Sequence, residues 1–298
     1  MPFKRLLSSA SALLLSLAGC AGGPLVETPP PGAVPGPALW QVADEDTTIY
    51  LFGTVHALPK ETQWFDGRVE RAFNAADELV TEIDLSDAAT SSQALAAAGM
   101  LPEGQNLREL MTPENRMQYE EALVSLGLPV EGLDRMEPWL AAMTLSLLPL
   151  LRDGYQSESG VEMALGSRAE GKKRGGLESI EDQVELFDAL PLGAQLAFLD
   201  QTVEQVPEAS TTLGAMVAEW LEGDAGQLAA LLNAELTDPA LYDRLLTQRN
   251  ANWAEWIQQR LDTPGTVFVA VGAGHLAGRG SVQEQLRERG LEVRRIWE

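Results

Sequence analysis

Strand-forming runs lie almost entirely at the two ends of this chain, and that restricts the fold more than any other feature. "LWQVAD" (39–44) and "TTIYLFGTV" (47–55) flank an acidic turn and read as a hairpin. "ELVTEIDL" (78–85), "TVFVAVGA" (266–273) and "EVRRIW" (292–297) add three further strands, with a short sixth at "RGGLES" (174–179). The intervening sequence has helical spacing, clearest over 65–77, 113–126, 138–151, 159–171, 180–190 and 238–262. Pro113 and Pro138 stand as first-turn prolines, and Trp139 reads as a packing residue at a helix start. Strand, helix, strand at each end implies crossover connections and a largely parallel sheet. The unbroken apolar run "VFVAV" fits a central strand covered on both faces. The expected fold class is therefore α/β: a central, largely parallel mixed sheet, with a helical insertion (87–262) packed over one sheet edge as a cap.

The first twenty residues read as an address. Lys4 and Arg5 precede an apolar stretch around Leu13 to Leu17, which ends at Leu17-Ala18-Gly19-Cys20. That stretch is too short to span a bilayer, and its ending has the form of a bacterial lipobox in which Cys20 is lipidated. Cys20 is the only cysteine, so its acylation leaves no thiol for disulfides or metal ligation. The chain is expected to be an envelope lipoprotein facing the periplasm. Ala21, rather than aspartate, after the cysteine points to the outer membrane. Residues 21–38, "AGGPLVETPPPGAVPGPA", read as a Pro/Gly-rich tether, leaving 39–298 as one α/β domain.

Charge excludes one class of partner. With 44 acidic and 21 basic side chains the formal charge is -23, and the only basic run is "GKKRGG" at 171–176. Nucleic-acid binding needs a basic footprint that this chain lacks.

The composition holds two histidines, and each stands three residues after a glycine at the end of an apolar run: Gly53 to His56, and Gly272 to His275. In open α/β sheets ligands bind beyond the carboxyl ends of the strands. Two neighbouring strands would thus bring both imidazoles over one rim, with each glycine permitting a sharp turn or close approach. A single such motif is weak, and a lone histidine is usually a satisfied core or surface group. The match of both is what carries weight. Glu82 and Asp84 share a face at the end of the third strand by the two-residue period. The bland reading is a strand end returning to solvent. Two histidines and a carboxylate are, however, a common ligand set for a catalytic divalent ion.

"YLFGTVHALP", "ADELVTEIDL", "EPWLAAM", "SGVEMAL", "GLESIEDQ", "RNANWA" and "VAVGAGHLAG" together resemble the TraB/GumN family, related to the Tiki metalloproteases and, more distantly, to erythromycin-esterase-like and ChaN-like proteins. The resemblance runs from about residue 38 to the end and implies an α/β fold in two related halves. It also implies a metal-dependent peptidase site formed by His56, Glu82 and His275, with a divalent ion such as Mn, Co or Zn. Arg249 is a candidate to stabilise an oxyanion or clamp a substrate carboxylate, against an ordinary ion pair. Glu178 and Glu162 are candidates for a general base or further ligands; for Glu162 the ordinary reading is an exposed helical face. Ser179 stands where the family often has threonine. The function implied is a divalent-metal-dependent, peptidase-like hydrolase with a peptide or other small substrate. The competing readings are a non-catalytic peptide-, haem- or metal-binding lipoprotein and a structural lipoprotein with a decayed site.

Overall fold

Thr47–Thr54 (β2) and Gly265–Gly272 (β7), the two longest strands, pair in parallel at the centre of the sheet, with Gly53 opposite Val271 and Thr54 opposite Gly272. The computed structural model describes residues 30–65, 67–84, 86, 88–235 and 238–298. Cys20, the leader and the first part of the tether lie outside the described residues.

The remaining strands are Leu39–Ala43 (β1), Leu58–Pro59 (β3), Glu78–Thr81 (β4), Tyr155–Gln156 (β5), Lys173–Gly176 (β6) and Arg294–Ile296 (β8). Six of them form one sheet in the order β6-β4-β7-β2-β1-β8, while β3 and β5 make a two-stranded ribbon. Neighbours β6, β4, β7 and β2 run in parallel, and only β1 opposes its neighbours, pairing antiparallel with β2 and β8. The sheet is therefore mixed and mostly parallel, as the distribution of strand runs required.

Helices Gly67–Ala75 (α1), Ala88–Ala98 (α2), Pro113–Ser125 (α3), Pro138–Arg152 (α4), Val161–Arg168 (α5) and Ile180–Asp188 (α6) follow in order. Leu192–Gln205 (α7), Ala209–Glu222 (α8), Ala225–Glu235 (α9), Pro239–Tyr242 (α10), Gln248–Arg260 (α11) and Val282–Glu288 (α12) complete them. A π-helical turn at Asp243–Thr247 joins α10 to α11, so the long helical run expected over 238–262 is almost continuous. Pro113 and Pro138 do open helices, and Ser179 caps α6 with a reciprocal Asp182 contact that threonine would serve equally well.

Alternation along β7 explains why both faces are covered. Val267, Val269 and Val271 join Ile49 and Leu51 beneath Trp253, Ala254 and Ile257 of α11 and Leu286 of α12. Phe268 and Ala270 join Phe52 on the other face, under Val69 and Phe73 of α1, Val161 and Leu165 of α5 and Trp220 of α8. Each of the buried valine, leucine, isoleucine and phenylalanine side chains is worth roughly 1.5–3 kcal/mol. The insertion thus does more than cap an edge. It supplies β6 and helices to both faces, and builds a second core from α3, α4 and α7 around Tyr119, Leu123, Leu145 and Leu199. Trp139 is wholly buried and stacks on Phe187, a packing role as expected.

Candidate active site

Both histidines leave the sheet at the same rim, because β2 and β7 are adjacent and parallel. His56 follows β2 by two residues, and His275 lies in a short 3₁₀ turn, Ala273–Leu276, directly after β7. Neither glycine of the pair has a positive φ, so turning is not what they provide. Close approach is. A Cβ on Gly53 would come within 3.0 Å of the Ala273 Cα, so the first motif makes room for the second. A Cβ on Gly272 would point into the site itself, 3.0 Å from Glu82 Oε1, 3.6 Å from His275 Cδ2 and 3.9 Å from His56 Nε2. One point at the end of β7 is thus ringed by the two imidazoles and the carboxylate.

Glu82 follows β4, which ends at Thr81, whose hydroxyl donates to the Ile83 carbonyl at 2.5 Å. The third strand is therefore shorter than the sequence pattern suggested. Asp84 lies exposed just after the bend at Glu82 and Ile83, where it accepts from the Ser86 N–H at 2.9 Å instead of joining Glu82. The Glu82 main chain stays in place because its carbonyl accepts from the Glu178 N–H at 2.8 Å. Its carboxylate accepts from the Gly272 N–H at 2.7 Å and from Arg249 Nη2 at 2.7 Å, with Gln183 at 3.3 Å.

Arg249, on the first turn of α11, ties the inner wall together. Nε and Nη2 donate to Glu178 at 2.8 and 2.9 Å, Nη2 also reaches Glu82, and Nη1 donates to the Leu245 carbonyl at 3.1 Å and faces His275 Nε2 at 3.0 Å. A guanidinium has five N–H groups, and each has an acceptor here. Glu178, expected as a base or ligand, accepts from Arg249 and from the Trp253 indole N–H at 3.0 Å. The Trp253 ring lies 4.2 Å from that of His275.

Each imidazole is anchored through Nδ1. Asn250 donates its amide to the Gly280 carbonyl at 2.8 Å, which turns its Oδ1 towards His275 Nδ1, 2.6 Å away. His275 therefore carries its proton on Nδ1 and presents a lone pair at Nε2. His56 Nδ1 lies 2.6 Å from Glu162 Oε1, which also accepts from the Thr54 hydroxyl. Glu162 is buried, so the exposed helical face that the sequence pattern favoured for it is corrected. α5 packs its N-terminus against the first motif, turning this residue inward. Asn250 and Thr54 are the other contributors that sequence reasoning passed over. Asn250 adjoins Arg249 in "RNANWA", and Thr54 lies inside "FGTVH", so motif adjacency was the available signal.

Burial pushes the His275 imidazole down to about 3, so it is neutral at neutral pH. Glu162 raises His56 to about 9, against the partial burial of the ring. Burial penalises ionised Glu82, but positive charge on His275, Arg249 and His56 and the Gly272 N–H outweigh it and hold the carboxyl at about 2. With His275 neutral, Arg249 and the Gly272 N–H sustain that direction. Access is one-sided. The His56 side chain is 72 % exposed, whereas those of His275, Glu82 and Arg249 are at 6, 14 and 11 %.

Whether these residues suit a divalent ion can be judged from their donors. Two imidazoles with Nδ1 fixed by an oxygen acceptor, their far edges turned to one point beside a carboxylate, match the outer-shell pattern of metal-ligating histidines. His275 Nε2 would exchange its Arg249 contact for the ion. As they stand, the described residues contain no group of three or more His, Cys, Asp or Glu side chains in metal-holding arrangement. Among the described residues no helix is long and apolar enough to cross a membrane.

The sequence profile of the TraB/PrgY/gumN family matches residues 38–295. YbaP of Escherichia coli is 28 % identical over 246 residues, covering 80 % of this chain and 88 % of that protein. Metalloprotease TIKI2 of Danio rerio is 26 % identical over 301 residues, 82 % of this chain and 57 % of the relative. Human metalloprotease TIKI1 is 25 % identical over 310 residues, 86 % and 61 % respectively. The match thus leaves more than a third of each Tiki chain uncovered. No solved structure matches significantly.

Proposed function

Because this chain belongs to the TraB/PrgY/gumN family and is distantly related to metalloproteases, we propose that it is a divalent-metal-dependent hydrolase of peptide bonds. The observation that carries this reading is the ring of His56, Glu82 and His275 around the Gly272 position. These three residues would hold the ion. Bound there, it would supply an acidified water and a Lewis acid for the scissile carbonyl.

The roles of the chain's own residues follow from their contacts. Substrate approaches over His56, the one open member of the set. Asn250 holds the His275 tautomer that leaves Nε2 as a lone pair. Arg249 commits Nε and Nη2 to Glu178 and Glu82, so in this reading it positions Glu82 and offsets its charge, with Glu178 holding the guanidinium in turn. His275, Asn250 and Trp253 are all buried, and the low local dielectric strengthens each of these contacts. We further propose that the domain is tethered through lipidated Cys20 to the outer membrane, facing the periplasm.

The test is metal content and peptide hydrolysis of the untagged protein. Wild type is expected to bind about one equivalent of Mn²⁺, Co²⁺ or Zn²⁺ and to cleave members of a peptide library. His56→Ala, Glu82→Ala and His275→Ala should each lose both properties. Stoichiometric metal in all three variants would refute the ligand set. Metal capture without turnover would favour a binding protein on the same scaffold.

A further inference from the structure

Behind His56, Glu162 and Thr54 form a chain of contacts to which the roles above assign nothing. We propose that Glu162 is the positioning residue for His56, holding the exposed imidazole at the angle the site requires; this rests on the hydrolase reading above. His56 has little else to fix it. Its side chain is 72 % exposed, whereas the Glu162 side chain is at 10 % and lies 2.6 Å from Nδ1. An exposed imidazole rotates freely unless one nitrogen is tied, and a buried carboxylate is the strongest acceptor available to tie it.

The surrounding architecture commits Glu162 to that task. It lies in the first turn of α5, where the N-terminal end of the helix stabilises an anion. Thr54, itself buried in β2, donates its hydroxyl to the same Oε1, fixing the carboxylate from the sheet side. The main chain is clamped as well. The Val161 N–H donates to the Val55 carbonyl at 3.0 Å, and a Cβ on Gly160 would lie 2.1 Å from the His56 carbonyl oxygen. Only glycine lets α5 begin that close to the first motif. Helix start, carboxylate and histidine therefore move as one piece, and the "SGVE" segment, more than 100 residues from "GTVH", belongs to the same site. Its Oε1 serves both the Thr54 hydroxyl and His56 Nδ1, on the side of the ring opposite Nε2.

The chain has only two histidines, so imidazole signals of the untagged protein can be followed without ambiguity. The experiment measures ¹³C relaxation of both rings and Mn²⁺ affinity for wild type, Glu162→Leu, Glu162→Gln and Thr54→Val. Wild-type His56 should show an order parameter near the rigid value of about 0.85, and Glu162→Leu should drop it below about 0.6. The same variant should weaken Mn²⁺ about 10–100-fold. Glu162→Gln keeps an acceptor and Thr54→Val keeps the carboxylate, so both should fold and show smaller losses, with His275 unchanged throughout. A His56 ring that stays rigid in Glu162→Leu, or in both milder variants if the leucine form does not fold, overturns the proposal. Loosening of His56 in a protein that binds no metal in any form supports the positioning role while removing the metal-dependent reading.

Discussion

Replacing Gly272 with alanine places one methyl group at the point on which the account converges. That methyl would lie 3.0 Å from Glu82 Oε1, and 3.6 and 3.9 Å from His275 Cδ2 and His56 Nε2. Only the first distance is tighter than ordinary contact, so the carboxylate must retreat by a few tenths of an ångström while the rings stay. Gly272 has φ of -46°, so the backbone accepts alanine without strain. Loss of glycine's chain entropy stabilises by about 0.4–1 kcal/mol, and the crowding costs about 1–3, leaving a net change near 1 kcal/mol. For a domain of this size that moves Tm by only about 2–4 °C. The methyl fills the space an ion would share with its ligands, so Mn²⁺ affinity should fall at least about 100-fold, near 2.7 kcal/mol. Calorimetric titration and thermal melting read the two effects separately. Gly53→Ala is the contrasting case, because its Cβ would meet the Ala273 main chain at 3.0 Å, which cannot step aside as a side chain can. There the loss should appear chiefly in stability. Full metal affinity in Gly272→Ala with unchanged melting would mean that the site is not centred where β7 ends.

Stability should peak near pH 6.5. His275 is about 3 in the folded chain against an ordinary 6.5, so its contribution is complete above 6.5 and is lost as pH falls towards 3. Glu82 adds to that acid limb between about 4.5 and 2. His56 behaves oppositely: raised to about 9, it stabilises fully below 6.5, and that gain fades as pH rises to 9. Its exposure makes the alkaline limb the shallower one. Urea midpoints from pH 4 to 9 should trace the dome, and His56→Ala should flatten its alkaline side; a steady rise through pH 8 would contradict the assignment. Arg249→Met leaves Glu82 and Glu178 facing each other without their shared cation. It should cost about 3–5 kcal/mol by urea unfolding, and a loss below 1 would show that the network does not hold the inner wall.

Much of the framework was legible because it rests on periodicity and strand position. "VFVAV" reads as doubly covered and is, with its valines against α11 and Phe268 against α1. The two histidines converge because adjacent parallel strands must end on the same rim. What the sequence hides is set by contacts that no local pattern encodes. Glu162 looks like an outward helical acid until the close approach at Gly160 turns α5 against His56. Asp84 has the right spacing for a face shared with Glu82, but β4 ends at Thr81, before that period can carry it. The β3–β5 ribbon is too short for any alternation to announce it. Arg249 was visible as a candidate, but its commitment to internal acceptors depends on Glu178 and Glu82 arriving from separate segments.

The most direct measurement follows both imidazoles by NMR while Mn²⁺ is added to the untagged protein. Broadening by Mn²⁺ reaches beyond its ligands but falls steeply with distance, so its rate is compared between His56 and His275, the only histidines in the chain. Both rings should broaden together and reach completion at about one equivalent. Broadening of one ring alone, or of neither, would contradict a shared metal site.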